Sequence, residues 1–121
     1  MASRRRNTTT WALYEQHAEM CKVFSSPIRL MILNVLRESE MTVAALAGRL
    51  DLALGTVSPH LLMMKQRRVL VSRKEGTQVF YRLANPKMLR AFDLIRNILA
   101  EQMKEHGVLA KELERERARR R

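Results

Sequence analysis

The apolar residues of this chain change period twice, and that limits the folds open to it. Through residues 11–67 they recur at spacings of three and four, which gathers them on one face of a helix. From Val69 the spacing drops to two: Val69, Val71 and Arg73 share one phase. After the Lys74-Glu75-Gly76-Thr77 turn, Val79, Tyr81 and Leu83 share another. Gly76 can supply a positive φ at the tip, so these two segments read as a β-hairpin. Past Asn85-Pro86 the helical spacing returns. One mainly α domain with a small β-hairpin fits this order in a chain of 121 residues.

Punctuation divides the helical stretches. Thr10 is placed to cap a first helix carrying Leu13, His17, Met20 and Phe24 along one face. Ser26 as N-cap and Pro27 in the first turn start a second helix over residues 28–37. That helix is apolar on several sides, so it belongs in the centre of a core. Thr42 is a cap for a short third helix, residues 43–50, with Val43, Leu46, Ala47 and Leu50 inward. After the tight Asp51-Leu52-Ala53 turn, a fourth helix over residues 54–67 points Val57, Leu61 and Met64 inward. Gly55 and Pro59 are tolerable near its start. Asn85-Pro86 opens the longest helix, residues 86–106, with a stripe of Met88, Phe92, Ile95, Leu99 and Met103 and a candidate C-cap at Gly107. Residues 1–10 are expected to be a flexible basic arm, residues 11–107 the folded domain, and residues 108–121 a basic, fraying tail.

The charge is uneven. The formal net charge is +11, from 23 Lys and Arg against 12 Asp and Glu. Three of the excess lie in residues 1–10 and three in residues 111–121. The other five fall in residues 53–82, where Lys65, Arg67, Arg68, Arg73, Lys74 and Arg82 face Glu75 alone. A solvated face usually mixes signs, so a block of one sign reads as the footprint of a polyanion. No apolar run approaches the ~20 residues that span a bilayer, so no membrane partner is expected. The basic N-terminus is not followed by the apolar stretch of a secretory signal. Cys21 is the single cysteine, which suits a reducing compartment. No Gly-rich phosphate loop, nucleophile–base pair or carboxylate dyad supports an enzyme.

Two short helices joined by a tight turn, then a basic hairpin, make a winged helix-turn-helix: five helices, a two-stranded wing and a dimer. A major groove admits one helix, whose N-terminal residues meet the base edges. Here that helix opens on small and hydroxyl side chains, Ala53, Gly55, Thr56 and Ser58. Arg73, Lys74 and Gln78 surround the hairpin tip, where phosphates or the minor groove can be met.

Three segments carry a family resemblance: Phe24-Ser25-Ser26-Pro27-Ile28-Arg29-Leu30, Thr56-Val57-Ser58-Pro59-His60-Leu61, and residues 73–83. In order and spacing, over residues 15–106, the chain resembles the ArsR/SmtB family of transcriptional regulators. The resemblance implies a homodimeric repressor whose first and last helices build the dimer interface. It implies DNA contacts from Ser58 and His60 on the recognition helix and from Arg73 and Lys74 on the wing. The full set of expected DNA-binding residues is Thr42, Leu54, Gly55, Thr56, Ser58, Pro59, His60, Lys65, Arg73, Lys74, Gly76, Thr77 and Gln78. Trp11, Leu13, Tyr14, Phe92, Ile95, Leu99 and Met103 are the expected dimer contacts, because the end helices carry more apolar surface than so small a domain can cover alone.

Departures from the family pattern bear on the inducer. The family's metal sensors carry an E-L-C-V-C-D motif, whereas this chain has Glu40-Met41-Thr42-Val43-Ala44-Ala45, with Thr42 and Ala44 at the thiolate positions. The family's second metal site would use Asp93 and His106, but Ile95 and Leu109 stand at the partner positions and cannot ligate. His17 and Cys21, at i and i+4, are the other weak metal candidates, with an ordinary buried Cys beside an ordinary His as the plainer reading. Arg68 stands where the family commonly has Gly, and Ala53-Leu54 where it often has a polar cap. No cofactor is expected, and the inducer is open. The expected function is a sequence-specific cytoplasmic, nucleoid-associated repressor binding double-stranded DNA at a pseudo-palindrome. The alternatives are a metal- or redox-responsive derepressor with a non-standard site and an architectural nucleic-acid binder driven by the two Arg-rich ends.

Overall fold

Ser26 and Thr42 start their helices as the sequence predicts, and these two caps set the frame of the domain. The computed structural model describes residues 8–120. Its elements are α1 (Thr8–Cys21), a 3₁₀ turn (Lys22–Ser25), α2 (Pro27–Leu36), β1 (Met41–Thr42), α3 (Val43–Leu50), α4 (Leu54–Gln66), β2 (Leu70–Glu75), β3 (Gln78–Leu83), α5 (Lys87–His106) and α6 (Val108–Arg120). The Ser26 hydroxyl accepts from the Arg29 N–H at 3.4 Å and Thr42 accepts from the Ala45 N–H at 3.1 Å. Asn85 Oδ1 takes the Lys87 N–H at 3.0 Å at the start of α5. Each such cap satisfies a helix N–H that no carbonyl reaches, typically worth ~1 kcal/mol.

The chain divides into two compact units after Met88. In the first, Ile32, Leu33 and Leu36 of α2, Leu46 and Ala47 of α3, and Val57, Leu61 and Met64 of α4 are buried together with Val23, Val69, Leu70 and Leu83. The stripes expected on α3 and α4 therefore do face the core. The crossing of α2, α3 and α4 presents the outward face of α4 to solvent.

Three features differ from the sequence reading. The first helix begins at Thr8, so Thr10 lies inside it rather than capping it. The rest of the arm, residues 1–7, lies outside the described residues. On α1, Leu13 and His17 are exposed and Met20 is half-buried, and the buried residue of that region is Val23 in the 3₁₀ turn. The wing has three strands in the order β1-β3-β2, because Met41 pairs with Tyr81 and Thr42 with Phe80. Two residues are too short a run to show alternation, which is why β1 escaped the period argument. Finally, residues 108–120 form a sixth helix, with an ion pair between Glu112 and Arg115. Its apolar stripe is weak, but Ala, Leu, Glu, Lys and Arg are all strong helix formers.

The hairpin register pairs Glu75 with Gln78, leaving a two-residue loop of Gly76 and Thr77. Gly76 takes φ 62° and Thr77 stays out of the left-handed region, the II′ pattern with Gly first. Arg68 also takes a positive φ, 61°, at the turn from α4 into β2. A left-handed residue with a Cβ is strained by roughly 1–2 kcal/mol, and glycine returns part of that as chain entropy. Arg68→Gly is therefore expected to stabilise the fold by about 1 kcal/mol, seen as a higher urea midpoint at an unchanged slope.

Candidate nucleic-acid interface

The start of α4 is built for close approach from outside. Its N-cap, Ala53, offers no side-chain acceptor; the Thr56 and Val57 N–H groups bond Ala53 O, which leaves those of Leu54 and Gly55 at the positive end of the helix. A Cβ at Gly55 would meet nothing within 4 Å, so internal packing does not demand the glycine there. What its bareness does is leave backbone open to a ligand. Leu54, Gly55, Thr56 and Pro59 are exposed, and Ser58 is half-buried. They lie away from the stripe of Val57, Leu61 and Met64 that anchors the helix. Pro59 falls well inside α4 and removes the N–H that Gly55 C=O would otherwise accept from. Leu62, 57% exposed on the same outward side, was not singled out by the sequence.

His60 is held by Arg29, which the sequence reading left without a role. The Arg29 guanidinium donates to Lys22 O at 2.9 Å, Val23 O at 3.2 Å and Ser25 Oγ at 3.3 Å. Its Nη1 lies 3.2 Å from His60 Nδ1. A guanidinium has no acceptor, so Nδ1 must accept and the ring proton must sit on Nε2. Arg29 thus orients His60 with its Nε2–H available as a donor. One side chain braces the α1–α2 junction against α4.

On the wing, Lys74 and Arg73 part company. Arg73 donates from Nη1 to Glu75 at 2.6 Å and from Nε to Glu40 at 3.0 Å, with a further Glu40 bond from Nη2. It also lies 4.6 Å over the Phe80 ring. The register explains this, since Arg73 and Thr42 both pair with Phe80, which brings Glu40 alongside. Arg73 therefore ties β2 to the strand that leads into α3, and its guanidinium is already engaged by two carboxylates. Lys74, Thr77 and Gln78 are exposed at the tip, and Lys74 has no ion pair among the described residues.

This changes the charge map. Arg67 pairs with Glu19 at 3.2 Å, and Glu40 neutralises Arg73. Two acids from outside residues 53–82 thus fold onto that block, and its net charge falls from +5 to +3. Lys65, Arg68, Lys74 and Arg82 keep their charge without a carboxylate partner among the described residues.

The Arg73 hydrogen bond holds the Glu40 carboxyl below its ordinary 4.5; desolvation opposes, and the charges of Arg73 and Arg82 assist. A depressed folded pKa means that Glu40 stabilises the fold fully above its unfolded value and loses that contribution as pH falls through the folded one. Glu40→Gln is therefore expected to lower the melting temperature at pH 7, and the gap from wild type to close below pH 4.5 as Glu40 protonates. Paired melts from pH 3 to 7 measure it; a gap independent of pH would show that the pair does not matter.

Of the expected dimer contacts, Trp11, Leu13, Tyr14, Ile95 and Leu99 are exposed apolar side chains and Met103 is half-buried. Phe92 differs from these: it is 5% exposed in the single chain, with Arg96 over its ring at 5.1 Å. Leu94 and Ile98, beside the expected stripe, are exposed instead. Among the described residues no three His, Cys, Asp or Glu side chains gather as a metal site. His17 and Cys21 are exposed on α1, Asp93 is half-buried, and the His106 side chain lies outside the described residues.

Comparison with known proteins places this geometry. The bacterial regulatory protein arsR family matches residues 26–70, from the α2 cap to the start of β2. An HTH-type transcriptional regulator of Methanocaldococcus jannaschii is 36% identical over 83 residues, covering 68% of this chain and 93% of that protein. One from Mycobacterium tuberculosis is 32% identical over 99 residues, covering 82% of this chain but 44% of that longer protein. The homodimeric winged helix-turn-helix DNA-binding domain from Mycobacterium bovis superposes with a TM-score of 0.74 at 30% identity. That match covers 84% of this chain and 94% of that one.

Proposed function

This chain belongs to the arsR family of bacterial regulatory proteins, and from that premise we propose that it is a homodimeric, sequence-specific DNA-binding repressor. The observation that carries the proposal is the opening of α4. An N-terminus without a side-chain cap, a bare Gly55, and Ser58 beside an Arg29-oriented His60 form a surface that fits a major groove. Thr42 adds a hydroxyl that accepts from Ala45 N–H and still has its own proton for a phosphate. Lys65, Lys74, Gly76, Thr77 and Gln78 supply backbone contacts that fix register rather than sequence. Arg73 acts as a strut that sets the wing angle.

A second copy covers the apolar residues left open on α1 and α5: Trp11, Leu13, Tyr14, Leu94, Ile95, Ile98 and Leu99. Two recognition helices related by a two-fold axis read half-sites about 34–36 Å apart, one helical turn of DNA. Repression is steric, by occupation of an operator, which places the protein in the cytoplasm with the nucleoid. A signal would act by altering the relation between the two α4 helices.

Selection from random duplexes, followed by sedimentation of the complex, tests this. The expected result is an inverted repeat bound by two chains, with at least ~10³-fold preference over random DNA. Tight binding without sequence preference would overturn the repressor in favour of an architectural binder. One chain per site would overturn the dimer.

A further inference from the structure

A cleft of about 470 Å³ lies between α1 and the end of α4, lined by Gln16, Glu19, Met20, Gln66, Arg67 and Arg68. That volume is in the range that holds small organic ligands. The hydrogen-bonding capacity left over in its walls is of donor type. Arg67 forms an ion pair with Glu19 Oε2 at 3.2 Å, while its buried Nε has no hydrogen-bond partner. Glu19 gives its other oxygen to Lys22 at 2.7 Å. Arg68 carries a second guanidinium, exposed, on the left-handed turn out of α4. Two guanidinium groups against the Glu19 carboxylate leave the lining positive. Guanidinium accepts nothing, so what completes it must bring acceptors and negative charge.

One effect opposes an anion here, the negative end of the α4 dipole. It amounts to roughly half a charge and falls off within a turn, less than the excess guanidinium supplies. The last carbonyls are also engaged: Arg67 N–H donates to Met63 O, Arg68 N–H to Lys65 O and Val69 N–H to Met64 O, each at 3.0 Å.

We propose that this cleft binds a small anionic organic molecule, a carboxylate or phosphate group on a body no larger than a single ring. The anionic group bonds the accessible guanidinium N–H groups of Arg67 and Arg68, and the apolar body lies on Met20. Arg67 directly follows the last residue of the recognition helix. A bound anion therefore adds negative charge beside the DNA-binding surface and competes with Glu19 for Arg67, which weakens DNA binding. That regulatory half rests on the DNA-binding reading; the site itself does not. Linkage makes the coupling reciprocal, so DNA lowers affinity for the anion by the same factor.

The test is calorimetric titration of the full chain with sodium benzoate and, separately, inorganic phosphate, at constant ionic strength and without DNA. Saturable binding of at least one probe is expected. Saturation by benzoate assigns a carboxylate ligand and saturation by phosphate a phosphoryl one. Arg67→Gln and Arg68→Gly are each expected to weaken binding about tenfold, while Lys111→Gln on α6 leaves it unchanged. Arg68→Gly relieves backbone strain, so its loss of binding cannot be put down to misfolding. No saturation by either probe, or unchanged binding in both cleft variants, overturns the site. DNA affinity unchanged by a saturating probe overturns the regulatory half. A protein that binds the probe but no DNA fails the proposed function and leaves the site standing.

Discussion

Replacing Lys65 and Lys74 together by glutamine is expected to weaken operator binding by roughly a thousandfold at ~0.15 M salt. Each lysine that neutralises a phosphate contributes about 0.9 to the salt slope, and a dimer loses four such contacts. The slope of log K against log salt should therefore flatten by about 3.6, which is about three decades of affinity at that salt concentration. Fluorescence anisotropy on a fixed duplex from 50 to 300 mM salt measures both quantities. The contrast is Arg73→Gln. Because Arg73 is already paired with Glu40 and Glu75, it should change the slope by much less and instead lower the melting temperature. Equal flattening by Arg73→Gln alone would show that the wing arginine leaves its carboxylates and binds phosphate.

Arg29→Met is the other large effect, about 2–3 kcal/mol of stability and at least tenfold in DNA affinity. Methionine fills the aliphatic volume but leaves the Lys22 and Val23 carbonyls and His60 Nδ1 without their donor. Half-buried acceptors stripped of a charged donor are costly, and the His60 ring loses its orientation. Urea unfolding gives the first number, and anisotropy below the unfolding transition gives the second. His60→Ala separates the two causes. It should reproduce the loss of DNA affinity with little loss of stability, because the Arg29 bonds to Lys22, Val23 and Ser25 remain. If Arg29→Met leaves DNA affinity intact, His60 does not need its brace.

How much of this could be read without coordinates follows from what local patterns encode. Ser26-Pro27, Thr42 and Asn85-Pro86 announce helix starts because a cap is a contact over two or three residues. Val57, Leu61 and Met64 announce the buried side of α4 because helical period and burial are the same fact seen twice. The hairpin and its Gly76 turn were legible for the same reason. Strand β1 was not, since two residues acquire a strand identity only from Tyr81 and Phe80, some 40 positions on. Period shows that α1 has an apolar face, and the coordinates show which of those residues its own chain leaves exposed.

Charge shows the divide most sharply. The sequence by itself determined that residues 53–82 are basic and that a winged helix carries them. Only the tertiary structure decided which of those charges are available, by bringing Glu19 to Arg67 and Glu40 to Arg73 from distant parts of the chain. Local propensity and period act within a turn or a hairpin and are written in neighbouring residues. Ion pairing across α1 and α4, or β1 and β2, depends on distances that exist only once the core has set them.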